Sequence, residues 1–112
     1  MAIWYLTAKK ATWSWAINLS TTVKDKFQLN SITVHFDVAP VTSEDLVVKL
    51  NGVDWASYDT ILYQINPASS EATDIVFVPD RDLFFEAWDI ITATYTNTDW
   101  RTYGLRIVTQ WL

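Results

Sequence analysis

Phe27-Gln28-Leu29-Asn30-Ser31-Ile32-Thr33-Val34-His35-Phe36-Asp37-Val38 decides the fold class. Apolar side chains fall on odd positions at Phe27 and Leu29, then on even positions at Ile32, Val34, Phe36 and Val38. Alternation of this kind is the mark of a strand with one buried face, and the change of parity predicts a β-bulge near Asn30-Ser31.

The same period of two extends outward in both directions. Toward the N-terminus it predicts strands at Ile3–Thr7 and at Thr12–Asn18, the latter with Trp13, Trp15 and Ile17 on one face. Toward the C-terminus it predicts Leu46–Val53, Tyr58–Asn66 with Ile61, Tyr63 and Ile65 aligned, Asp74–Val78, Trp88–Tyr95 and Tyr103–Trp111. Arg81–Ala87 fits either a strand or one helical turn opened by Asp80, and its neighbours favour the strand. Turns fall to Asn, Asp, Ser and Pro because the chain holds only two glycines, and Asn51-Gly52 reads as a hairpin signal. About eight short antiparallel strands at this spacing predict an all-β, single-domain jelly-roll or β-sandwich. Residues 21–112 form that domain, and residues 1–20 are an aromatic-rich strand or an arm that docks on a neighbour.

Composition agrees with this class and removes several functions. The 112 residues are 50% apolar and 19% charged, which is ordinary globular usage. Net charge is -5 without a basic cluster, so nucleic acid is not an expected partner. Cysteine is absent, which removes disulfides, thiolate zinc sites and thiol nucleophiles. No apolar run is long enough to cross a bilayer as a helix, and the first residues lack the pattern of a signal peptide.

No constellation points to catalysis. His35 is the single histidine and sits on the polar side of its strand, so a Ser-His-Asp triad would have to rest on it alone. The ten aspartates include Asp80 and Asp82 at one loop, Asp54 and Asp59 at another and Asp99 at a third. Oxygen-rich loops suit calcium, yet the Asp-x-Asp-x-Asp-Gly loop is missing, and these carboxylates read as turn caps. Glu86 and Asp89 flank a turn in the same way. There is no phosphate loop or dinucleotide fingerprint, and neither a metal nor a cofactor is expected.

The seven tryptophans are the informative residues. A domain of this size has room for three or four in its interior, so the remainder must face a partner. Trp4, Tyr5, Trp13 and Trp15 in the N-terminal segment, with Trp55 and Trp100 in loops, are the expected contact residues. Trp55 follows Asp54 and Trp100 follows Asp99, a pairing that suits a protein interface anchor or a sugar-stacking platform completed by Tyr103.

The C-terminal third carries a more particular pattern. Asp74-Ile75-Val76-Phe77-Val78-Pro79 is a short strand ending in proline; Leu83-Phe84-Phe85-Glu86-Ala87-Trp88-Asp89-Ile90-Ile91 holds a turn with Asp; Tyr95-Thr96-Asn97 closes a strand, and Thr98-Asp99-Trp100-Arg101-Thr102 leads into Tyr103-Gly104-Leu105-Arg106-Ile107. These forty residues, and more loosely Lys26–Ile32, resemble the small jelly-roll and β-sandwich proteins of tailed-phage virions. Such modules often place Gly before the Asp where this chain has Trp88, which implies a wider turn or a contact residue there. The resemblance implies a non-enzymatic virion role, foremost a capsid decoration (cement) protein bound to the major capsid protein or other virion proteins, with a tail, fibre or baseplate component next. Surplus aromatics are further expected to be buried across a homo-oligomer, a trimer favoured. The alternative from another class is a carbohydrate-binding module using Trp55, Trp100 and Tyr103.

Overall fold

Phe27, Leu29, Ile32, Val34 and Phe36 all reach the interior, and they do so because the strand slips register between Leu29 and Ser31. The bulge turns two half-patterns of opposite parity into one apolar face, as the alternation predicts.

The computed structural model describes residues 6–22, 26–52, 59–79 and 83–111, and these form nine strands and no helix. They are β1 (Leu6–Trp13), β2 (Ile17–Thr22), β3 (Phe27–Phe36), β4 (Leu46–Asn51), β5 (Thr60–Ile65), β6 (Asp74–Phe77), β7 (Leu83–Phe85), β8 (Ile90–Tyr95) and β9 (Tyr103–Trp111). One sheet runs β1-β9-β3-β6 with β7 also on β3, and the other runs β2-β8-β4-β5. All pairings are antiparallel. Strand β6 pairs with Ile32–His35 and β7 with Phe27–Leu29, so the two are successive pieces of one interrupted strand along the same edge of β3. Counted that way there are eight strand positions, four to a sheet, in the order of a jelly roll.

The core lies between the sheets. Ile75, Phe85, Tyr103, Leu105 and Ile107 join β3 from one side, and Ile17, Leu46, Val48, Ile91, Ala93 and Tyr95 meet them from the other. Phe27 packs on Phe85 at 5.2 Å and Phe36 on Tyr95 at 5.6 Å between ring centres, both tilted as the ring quadrupoles prefer.

Several boundaries differ from the sequence reading. From Leu6 onward the N-terminal segment lies in the sheets, β1 running unbroken through Lys9-Lys10 beside β9. Met1–Tyr5 lie outside the described residues. Thr12–Asn18 is not one strand: the chain turns at 14–16 and crosses from one sheet to the other, Trp13 lying opposite Tyr103 and Ile17 opposite Tyr95. Asn51-Gly52 is no tight hairpin, since Leu50 pairs with Thr60 and the connection is long; Asp59 closes it by accepting the Gly52 N–H at 2.8 Å. In β5 a second bulge leaves Leu62 without a cross-strand partner, so Leu62 packs on the core and Ile61 faces solvent. Leu83–Phe85 is a strand, and Trp88 stands in the turn before β8 rather than within it.

Candidate functional site: an aromatic loop platform at one end

Jelly-roll order brings four connections to one end of the sandwich. They are residues 14–16 between β1 and β2, 37–45 between β3 and β4, 66–73 between β5 and β6, and 96–102 between β8 and β9.

Asn97 is the centre of this end. It is buried and sits at φ 56°, in the left-handed region that asparagine tolerates better than most residues. Its Nδ2 donates toward the carbonyls of Ser14, Trp15 and Arg101 at 3.2, 3.0 and 2.9 Å, and its Oδ1 accepts the Arg101 N–H at 3.0 Å. One side chain thereby joins the 14–16 corner to the 96–102 loop. The Trp100 N–H donates to the Asn97 carbonyl at 3.0 Å, which fixes Trp100 at φ 55° on the same hub.

Two carboxylates clasp the next loop. Asp99 Oδ2 accepts the N–H groups of Val41 and Thr42 at 2.9 and 2.8 Å, and Oδ1 accepts the Thr42 hydroxyl at 2.7 Å. These bonds hold the Asp99 carboxyl below its ordinary value. Glu44 answers from the other side, accepting the Thr98 N–H at 2.7 Å and the Thr98 hydroxyl at 2.8 Å. Asn66 adds the remaining loop by donating to the Ser43 hydroxyl at 2.7 Å. Beneath them, burial pushes the Tyr95 phenol up to about 12, with the charges of Glu44 and Asp99 adding to it. No hydrogen bond of good geometry reaches that hydroxyl among the described residues, although Glu44 lies near enough to act on it.

Among the polar residues of these loops this scaffold also exposes large apolar side chains. Trp15 is 50% and Trp100 68% exposed, and Val38 and Val41 are exposed in the 37–45 loop of the same end. Large apolar side chains are usually drawn inward, and here the 96–102 loop ties down the backbone at Trp15 and Val41, while Trp100 is fixed by Asn97 within its own loop. Rigid aromatic anchors on a fixed base lose little conformational entropy when covered by a partner.

The expected contact residues therefore divide. Trp15 and Trp100 come together at this end through Asn97. Trp13 closes β1 opposite Tyr103, with its side chain outside those described, and Trp4, Tyr5 and Trp55 lie outside the described residues. The sugar platform loses two of its parts. Tyr103 is 3% exposed and belongs to the core, and the Asp99 carboxylate is occupied by the 37–45 loop instead of facing outward beside Trp100. Asn97, Glu44, Val38 and Val41 were not legible as site residues, because their roles depend on loops far apart in sequence.

His35 is exposed, as its strand position predicts, and its Nδ1 lies 2.6 Å from Asp74 Oδ1. That contact lowers the Asp74 pKa. Asp89 caps the turn before β8 by accepting the Glu86 N–H at 3.0 Å. Asp54, Asp80 and Asp82 lie outside the described residues, and among those described no three His, Cys, Asp or Glu side chains converge as a metal site would require. No family model and no curated protein matches the chain.

Proposed function

We propose that this chain is a non-enzymatic virion structural protein, a decoration protein that binds a capsid lattice through the loop end bearing Trp15, Trp100, Val38 and Val41. The observation behind this reading is the combination of exposed apolar side chains with a hydrogen-bonded base that holds all four loops in one arrangement. At this end the side chains of Asn97, Asp99 and Glu44 are engaged in bracing loops, and large apolar side chains stand exposed around them. That is how an interface anchor is built. The jelly-roll order is in keeping with the virion proteins that the C-terminal pattern resembles.

Electron cryo-microscopy of particles carrying this chain tests the reading. Density on the capsid lattice, with the Trp15 and Trp100 end against the shell, is the expected result. A Trp15→Ala, Trp100→Ala double variant should stay folded by circular dichroism and bind undecorated shells at least about tenfold more weakly, roughly 1.4 kcal/mol or more. Absence of the chain from every particle, or a platform facing solvent on the bound molecule, overturns it. Retention on a glycan array with no particle binding would instead favour the carbohydrate-binding module.

A further inference from the structure

Trp88 occupies a costly position. Residues Glu86, Ala87, Trp88 and Asp89 form a tight turn closed by the Asp89 N–H on the Glu86 carbonyl at 3.2 Å, and Asp89 Oδ2 accepts the Glu86 N–H in return. Trp88 is the third residue of that turn at φ 72°, where glycine sits without strain and a bulky side chain rarely does. About half of its surface is left uncovered by its own molecule, the residue being 52% exposed. A strained backbone and an exposed indole in the same residue point to a use for the ring.

A receptor for it lies on the outer face of the sheet containing β9. Thr12, Gly104, His35 and Asp74 form one row straight across β1, β9, β3 and β6, and the adjoining row includes Arg106, Thr33 and Val76. With no side chain at Gly104 the first row has a gap, and no atom lies within 4 Å of where a Cβ would stand. These two rows line an open groove of about 660 Å³, ample for an indole. Arg106 supplies the groove's one fixed positive charge, His35 there being paired with the Asp74 carboxylate, and Glu86 is exposed two residues before Trp88. A guanidinium beside an indole face adds a cation–π attraction, and Glu86 can reach the same cation.

We propose that Trp88 of one copy docks in the Gly104 groove of a second copy, with Glu86 paired to Arg106. The turn and the groove lie toward opposite ends of the sandwich, separated by the length of β2, roughly 20 Å at a strand's rise. One molecule therefore leaves its own groove open, and the contact is made between copies, either reciprocally in a two-fold dimer or head to tail in a ring or filament. This self-association does not depend on the lattice reading.

Sedimentation velocity of the full chain over a wide concentration range is the test. Wild type is expected to associate with concentration. Trp88→Gly should weaken association at least tenfold while melting no lower than wild type, because it relieves strain. Gly104→Val fills the groove where nothing opposes a Cβ and should weaken association as much with the fold retained. Glu86→Arg and Arg106→Glu should each weaken it, and the two together should restore it. A wild type that stays monomeric throughout, either tryptophan or glycine variant associating like wild type, charge reversals without mutual rescue, or a Trp88→Gly that melts lower would each overturn the proposal.

Discussion

Four described residues other than glycine adopt positive φ, namely Glu71, Trp88, Asn97 and Trp100, in a chain with two glycines. Asn97 justifies its conformation by binding three carbonyls and one N–H, whereas the two tryptophans hold theirs while largely exposed. Asp99 is the other residue whose chemistry is measurable in isolation. Hydrogen bonds from the Thr42 hydroxyl and N–H, with the Val41 N–H, favour its ionised form and lower its pKa from the ordinary 3.8. The folded state therefore binds that proton less readily than the unfolded chain does, so the clasp stabilises fully above about pH 4 and is lost as pH falls through the depressed folded value. Asp99→Asn should be less stable than wild type at neutral pH, and the gap should close as the solution is acidified below that range. Urea midpoints measured across pH check this, and parallel acid limbs for the two proteins would contradict it.

At the scale of the element, parity decides which side chains are buried, and two bulges reset it. The bulge in β3 was legible because Phe27-Gln28-Leu29 and Ile32-Thr33-Val34 each declare their own phase. The one opposite Lys49 was not, because Ile61, Leu62 and Tyr63 are three apolar residues in a row and sequence does not say which one the ladder skips. Partner geometry settles it in favour of Leu62 packing inward. Ile61→Lys should therefore change stability by no more than about 0.5 kcal/mol, as for an exposed position. Leu62→Ala should cost about 1–2 kcal/mol, below the cost at a fully enclosed leucine because the site is half-buried. Denaturant unfolding of the two variants distinguishes them, and the reverse order of cost would place Ile61 inside.

On the scale of the whole molecule, pairing is between distant parts of the chain. β1 lies along β9 from Leu6 opposite Gln110 to Trp13 opposite Tyr103, and β9 in turn pairs with β3. Closing such long loops precedes the contacts that reward it, so folding should fall in the milliseconds-to-seconds range of all-β domains. Stopped-flow tryptophan fluorescence measures it, and full native signal within microseconds would contradict this ordering of events. Sequence by itself determined the strand-forming periods, the first bulge, the outward placing of His35 and the surplus of aromatics, since each follows from spacing or composition along a short stretch. Tertiary structure alone decided that Tyr103 is core and Trp100 is surface, that Asp99 braces a loop fifty-seven residues away, and that Trp15 shares an end with Trp100. Those facts depend on which strands become neighbours, and a jelly roll joins residues whose local sequences hold no record of one another.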